Sequence, residues 1–220
     1  MFPDDIADYL KNNPGFFEQY ADLMAQIFVP HPHGGRTISL VERQMLTLRE
    51  KNRASESKLA ELIAFGEEND QISEKVHRLA VGLIAAETFQ AVIHLLNFHL
   101  RDDFSVPHVA LRLWHKPEEV SDLPEFAAVS EELQVFAETL ARPYCGSTAG
   151  FGTASWFGEA APHIRSQALI ALRNGGGTIG LVALGSEEAQ RFYADMGTLY
   201  LERIGEMVSA ALARVTKSAL

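Results

Sequence analysis

Apolar residues recur in alternating steps of four and three along the middle of the chain: Val41, Met45, Leu48, Asn52, Ser55, Leu59 and Leu62. After one extra step of three the rhythm continues through Phe65, Asn69, Ile72, Val76, Leu79 and Leu83. Ten of these thirteen positions are apolar, which at this spacing predicts one face of a helix. Ser39 and Glu42 open the run with the spacing of a capping box. No proline interrupts it, and its only glycines are Gly66 and Gly82. A helix over 38–86 would be roughly 70 Å long, more than one small domain covers. It is therefore expected to pack against a second copy of itself or against a partner, with Val41, Met45, Leu48, Asn52, Leu59, Leu62 and Phe65 in the contact. The off-beat step resembles a coiled-coil stammer, a local overwinding. Asn52 at a seam position would select register and partner number. The alternative is that Asn52 and Ser55 are exposed and the helix meets its partner only at its ends.

Before this helix, two shorter stripes predict helices: Ile6, Tyr9 and Leu10, then Phe16, Phe17, Tyr20, Leu23, Met24 and Ile27. Asn13-Pro14-Gly15 punctuates them, and Val29 to Gly35, rich in Pro and Gly, reads as a loop. After it, a helix is expected over Glu87–Leu100, a strand over Val106–Trp114, and a polar loop over 116–124. Another helix is expected over Phe126–Leu140, and an irregular stretch over 143–165. Ser166–Arg173 and Thr178–Gly185 read as strands joined by Asn174-Gly175-Gly176-Gly177, a hairpin signal. A last helix is expected over Asp195–Val215. The chain thus divides into 1–37, 38–86 and 87–220. The last region reads as an α+β domain, an antiparallel sheet with helices packed on it.

Composition narrows function more than fold. Of 220 residues 47% are hydrophobic, and the formal net charge is −10. An acidic chain is a poor nonspecific binder of nucleic acid or anionic membrane, because phosphates need clustered Lys and Arg. Arg49-Glu50-Lys51-Asn52-Arg53 mixes both signs and reads as a solvated helix face. The single cysteine, Cys145, excludes an internal disulfide and suits a reducing cytoplasm. The acidic start, Met1-Phe2-Pro3-Asp4-Asp5, lacks a signal-peptide pattern, and no apolar run reaches the ~18 residues of a membrane span.

Several stretches carry a resemblance. They include Asn13-Pro14-Gly15-Phe16-Phe17, Pro30-His31, Ser39 to Gln44 with Leu48-Arg49, and Glu68-Asn69-Asp70. Cys145-Gly146, Ser166 to Leu169, Gly180 to Ser186, Arg191-Phe192 and Met196-Gly197-Thr198 continue it. Over nearly its whole length the chain resembles an uncharacterised bacterial family, domain of unknown function 484. It departs from that family at Glu187-Glu188-Ala189, where an Asp-Pro pair is usual. The family looks like a helical region followed by a GAF-type domain, a ligand-sensing fold. The resemblance therefore implies a GAF-like fold and names no ligand. The Asn-Lys-Phe-Asp-Glu signature of cyclic-nucleotide GAF domains is missing.

Candidate chemistry is sparse. Cys145 would need a base or positive charge to become a nucleophile, and Arg142 and His163 are the candidates. The other reading is a small buried residue. His31 and His33 lie two apart, but no further ligands of metal-site spacing accompany them or the remaining histidines, so no metal site is expected. Asn174–Gly177 joins two strands and lacks the Lys of a phosphate-binding loop. Glu67-Glu68-Asn69-Asp70 reads as a solvated helix face. The best pocket candidate is the aromatic segment with Tyr144, Cys145, Phe151, Ser155, Trp156, Phe157 and Ser166, suited to a small molecule. The alternative is that these aromatics fill the core. No cofactor and no catalytic set are expected. The reading is a non-enzymatic, cytoplasmic regulatory or sensing homodimer. An adaptor for an unknown protein partner and a thiol enzyme using Cys145 are the alternatives.

Overall fold

A computed structural model describes residues 2–31, 34–115 and 123–217, with the side chains of 24–25, 30–31, 34–39 and 217 outside the description. The capping side chain of Ser39, the imidazoles of His31 and His33 and most of the loop expected over 116–124 therefore lie outside the described residues. The chain folds as two compact units, residues 1–67 and 68–220, divided within the long helix.

The first unit holds α1 (Pro3–Asn12), α2 (Gly15–Gln19) and α3 (Ala21–Gln26). The second expected stripe is thus two helices, because the backbone at Tyr20 turns out of the helical region (φ −117°, ψ 36°). Phe16 stacks on Tyr20 at 4.8 Å and meets Tyr9 edge-on at 6.4 Å. Of the segment expected to be a loop over 29–35, residues 29–31 and 34–35 instead lie in paired strands, β1 (Phe28–His31) against β2 (Gly34–Ser39). Pro30 cannot donate to a ladder, but a two-stranded ribbon has open edges on which a proline is tolerated. The long helix follows at once as α4 (Leu40–Ala85), 46 residues without interruption.

The second unit opens with the C-terminal part of α4. Then come α5 (Phe89–Phe98), a π-helical turn (His99–Asp103), β3 (His108–Leu113), α6 (Glu131–Thr139), β4 (Tyr144–Gly146), a 3-10 stretch (Thr153–His163), β5 (Ser166–Asn174), β6 (Gly177–Ser186) and α7 (Leu199–Lys217). Thr88 caps α5 by accepting from the Ala91 amide at 3.2 Å. Ser130 caps α6, so the helix expected from Phe126 begins later, after the cap has redirected the chain. The stretch expected to be irregular over 143–165 contains β4 and the 3-10 turns. β5 and β6 meet at Gly175 and Gly176, whose φ values of 60° and 94° form a turn that other residues enter with strain.

The four strands form one antiparallel sheet in the order β3-β6-β5-β4. One face carries Leu111, Leu113, Ala168, Ile170, Leu172, Val182 and Leu184, buried with Val92 and Leu96 of α5 and Ile204, Val208 and Leu212 of α7. Val76, Leu79 and Leu83 of α4 join this core. The apolar stripe of α4 therefore has two fates. Its last three members are core, whereas Val41, Met45, Leu48, Leu59, Leu62 and Phe65 are 50–66% exposed. The other face, with Leu169, Leu181 and Ala183, is covered by Leu133 and Ala137 of α6 and by the aromatics of the 144–157 segment. The α+β architecture is the expected one.

Candidate functional site

The period-two alternation of β4 separates residues that the sequence grouped together. Tyr144 faces the aromatic side of the sheet, while Cys145 faces the helical core. Of the predicted pocket residues, Tyr144, Phe151, Trp156 and Phe157 come together. Tyr144 packs on Phe151 at 4.8 Å, and Phe136 of α6 lies 4.6 Å from Phe151. The Tyr144 hydroxyl donates to the Ser147 carbonyl at 3.0 Å. Phe157 covers Gly185, where a Cβ would come within 2.9 Å of its ring. Ser155 is exposed and donates to the Gly152 carbonyl. Ser166 is buried, donating to the Glu188 carbonyl and accepting from the Phe192 amide. It holds the 186–192 turn rather than facing the aromatic cluster.

Four side chains with polar atoms that the sequence reading missed lie on the aromatic side. Gln167 and Thr153 are wholly buried, and the Thr153 hydroxyl donates to Gln167 Oε1. Gln167 Nε2 reaches the Ser147 carbonyl, so one amide ties the covering segment to β5. Arg112 of β3 sets its guanidinium 5.0 Å from the Trp156 ring, and burial pushes its pKa down. Trp114 Nε1 is buried without an acceptor among the described residues. Strand alternation from Leu111 and Leu113 places Arg112 and Trp114 on this face, and that pattern was the available signal.

The Cys145 thiol is 6% exposed, and burial pushes its pKa up to about 11. A nucleophilic thiolate needs the opposite shift, and burial rather than the charge of Arg142 sets the direction here. His163 is exposed. Among the described residues no three His, Cys, Asp or Glu side chains gather where they could hold a metal ion.

On the helical side, α7 is tied to α4 at two places. Tyr200 Oη bonds Ser73 Oγ at 2.9 Å and donates to the Asn69 carbonyl at 3.1 Å. Arg214 donates to the Leu83 and Ala86 carbonyls at the end of α4. These ties pair the two helices in parallel. A third polar cluster joins α4 to the π-helical turn. Arg78 meets Asp103 at 2.8 Å, and His99 Nδ1 lies 2.6 Å from the other Asp103 oxygen. The Arg78 and His99 hydrogen bonds hold the Asp103 carboxyl below the usual range.

The model of the family described as protein of unknown function, DUF484, matches residues 1–217. The chain belongs to that family. No curated protein matches it. Among solved structures it is similar to the A. aeolicus nlh2 GAF domain in an inactive state, at 10% identity over 66% of this chain and 97% of that one, with a TM-score of 0.48. It is also similar to free methionine-R-sulfoxide reductase from Neisseria meningitidis in complex with its substrate. There the identity is 15% over 67% of this chain and 91% of that one, with a TM-score of 0.45. The α+β assignment of this DUF484 member rests on its own sheet and helices.

Proposed function

We propose that this DUF484 chain is a non-enzymatic, GAF-like regulatory or small-molecule-sensing module that dimerises through its long helix. One observation carries the reading: between Leu40 and Gln71 α4 buries no residue, yet it presents Val41, Met45, Leu48, Leu59, Leu62, Ile63 and Phe65, each at least half exposed. Burying the exposed half of such side chains is worth roughly 1 kcal/mol each. Seven from each of two copies supply on the order of 14 kcal/mol, comparable with the ~4–15 kcal/mol cost of association. Through the Tyr200 and Arg214 ties, a shift of the C-terminal part of α4 would carry α7 with it. A ligand over the aromatic side of the sheet would act through them only by differential affinity for two helix arrangements. Arg112 and the Trp114 indole N–H, which has no acceptor among the described residues, supply polar anchors for it. The single buried cysteine suits a reducing cytoplasm.

A second reading, a ligand-free adaptor for another protein, is favoured by the exposed Phe2, Tyr9, Phe17 and Tyr20 of the first unit. Sedimentation at micromolar concentration is expected to give a dimer, and a monomer would defeat the dimer claim. Native mass spectrometry of freshly purified protein separates the two readings. A retained small molecule supports sensing, and a retained second protein species supports the adaptor.

A further inference from the structure

β4 pairs with β5 only from Gln167 to Leu169, although β5 runs on to Asn174. Pro143 stands just before the first paired residue, Tyr144. The edge of β5 beyond Leu169 therefore opens into a groove of about 470 Å³ between the α6–β4 connection and α7. This is the size range of small-molecule sites. Three features of the groove point to a ligand class. Its walls carry opposite charges, with Arg142 and Arg173 on one side and Glu202 and Glu206 on α7 on the other. Among the described residues no ion pair joins these two walls. Arg173 is occupied, donating to the Ala137, Glu138 and Leu140 carbonyls at the end of α6, and Glu202 accepts from Thr198. Arg142 and Glu206 have no such bonds among the described residues and are exposed.

The floor of the groove supplies the third feature. The Arg173 amide turns from the strand to Ser209 Oγ of α7 at 3.0 Å, and Ile170 and Ala171 line the floor beside it. Gly205 brings the backbone of α7 close to this floor; a Cβ there would stand 3.8 Å from the Ala171 carbonyl oxygen. Ala171 thus lines the same groove as an exposed cation, Arg142, and an exposed anion, Glu206.

We infer that this groove binds a small zwitterion of amino-acid or dipeptide size. Arg142 takes the carboxylate, and Glu206 takes the ammonium group. The site is separate from the aromatic side of the sheet and does not depend on the dimer. The test is calorimetric titration of the full chain with the dipeptide Ala-Ala, and with its N-acetylated, C-amidated form as the uncharged probe. Saturable binding of Ala-Ala alone is expected. Arg142→Ala and Glu206→Gln should each weaken it roughly tenfold, the loss of one charge-assisted hydrogen bond. Both side chains are exposed, so both variants should keep the parent circular dichroism spectrum. Three results would each overturn the assignment: no binding of Ala-Ala, equal binding of the uncharged probe, or two folded variants that bind as the parent does.

Discussion

At the scale of single residues the clearest consequence concerns Cys145. Its thiol pKa rises from 9.0 to about 11 because burial penalises the charged thiolate. In the unfolded chain the thiol ionises first as pH rises. The stability that this group contributes is therefore intact below pH 9 and is lost between 9 and about 11. Cys145→Ala should flatten that part of the stability–pH curve relative to the parent, measured by denaturant unfolding across the range. Near neutral pH, iodoacetamide should label native protein far more slowly than denatured protein. Equal rates would show an exposed, reactive thiol. That Cys145 is unusual was legible in the sequence, where it stands alone. Which way it faces was not. The flanking Tyr144 and Gly146 reveal no side of the sheet until the three-residue strand β4 is known, and three residues are too few for alternation to register. Arg112 and Trp114 were legible in principle, because β3 is long enough to show its period.

Elements were read best where the chain carries its own punctuation. Asn174–Gly177 announced the β5–β6 turn, and the stepping apolar positions announced α4. The hairpin at 28–39 was missed for a physical reason: Pro30 and the glycines forbid a central strand but not a two-stranded ribbon. The contact of α7 with β5 was also invisible, since it depends on a missing side chain. Gly205 lets the helix sit close enough that a Cβ would fall 2.6 Å from Ile170 Cγ2. Gly205→Ala removes a poor helix former, which favours the helix by up to ~1 kcal/mol. The clash, however, falls on a wholly packed neighbour, and overpacking costs about 1–3 kcal/mol. The net effect should be destabilising by roughly 1 kcal/mol or more, read as a lower denaturation midpoint with unchanged slope. A stabilised variant would mean that α7 is free to shift on the sheet. Tyr200→Phe tests the parallel pairing of α7 with α4. It removes one hydroxyl that serves Ser73 and Asn69, and should cost about 0.5–1.5 kcal/mol.

For the whole molecule the question is what keeps the first part of α4 helical. Helices in water are held mainly by burying an amphipathic face, and a stretch without tertiary support is marginal even when its propensities are good. Up to Gln71 this helix buries nothing, and Asn52 satisfies itself on Glu56, four residues along the same helix, at 3.0 Å. The second unit has its own core, and both tryptophans, Trp114 and Trp156, belong to it. If a partner covers this stretch, as proposed, its loss should unwind the stretch and leave the domain folded. Leu59→Glu with Leu62→Glu places two charges on side chains that are 58% and 66% exposed in the single chain, so the monomer's own packing loses little. If a second copy covers them, the double variant should sediment as a monomer and lose helical circular dichroism. Its near-ultraviolet tryptophan signal should stay that of the parent. Full helicity in a monomeric double variant would show that α4 needs no partner, and the proposed dimer would lose its physical reason. Loss of the tryptophan signal as well would show that the helix and the domain fold as one unit, and that the long helix is part of the domain's stability rather than an arm extended from it.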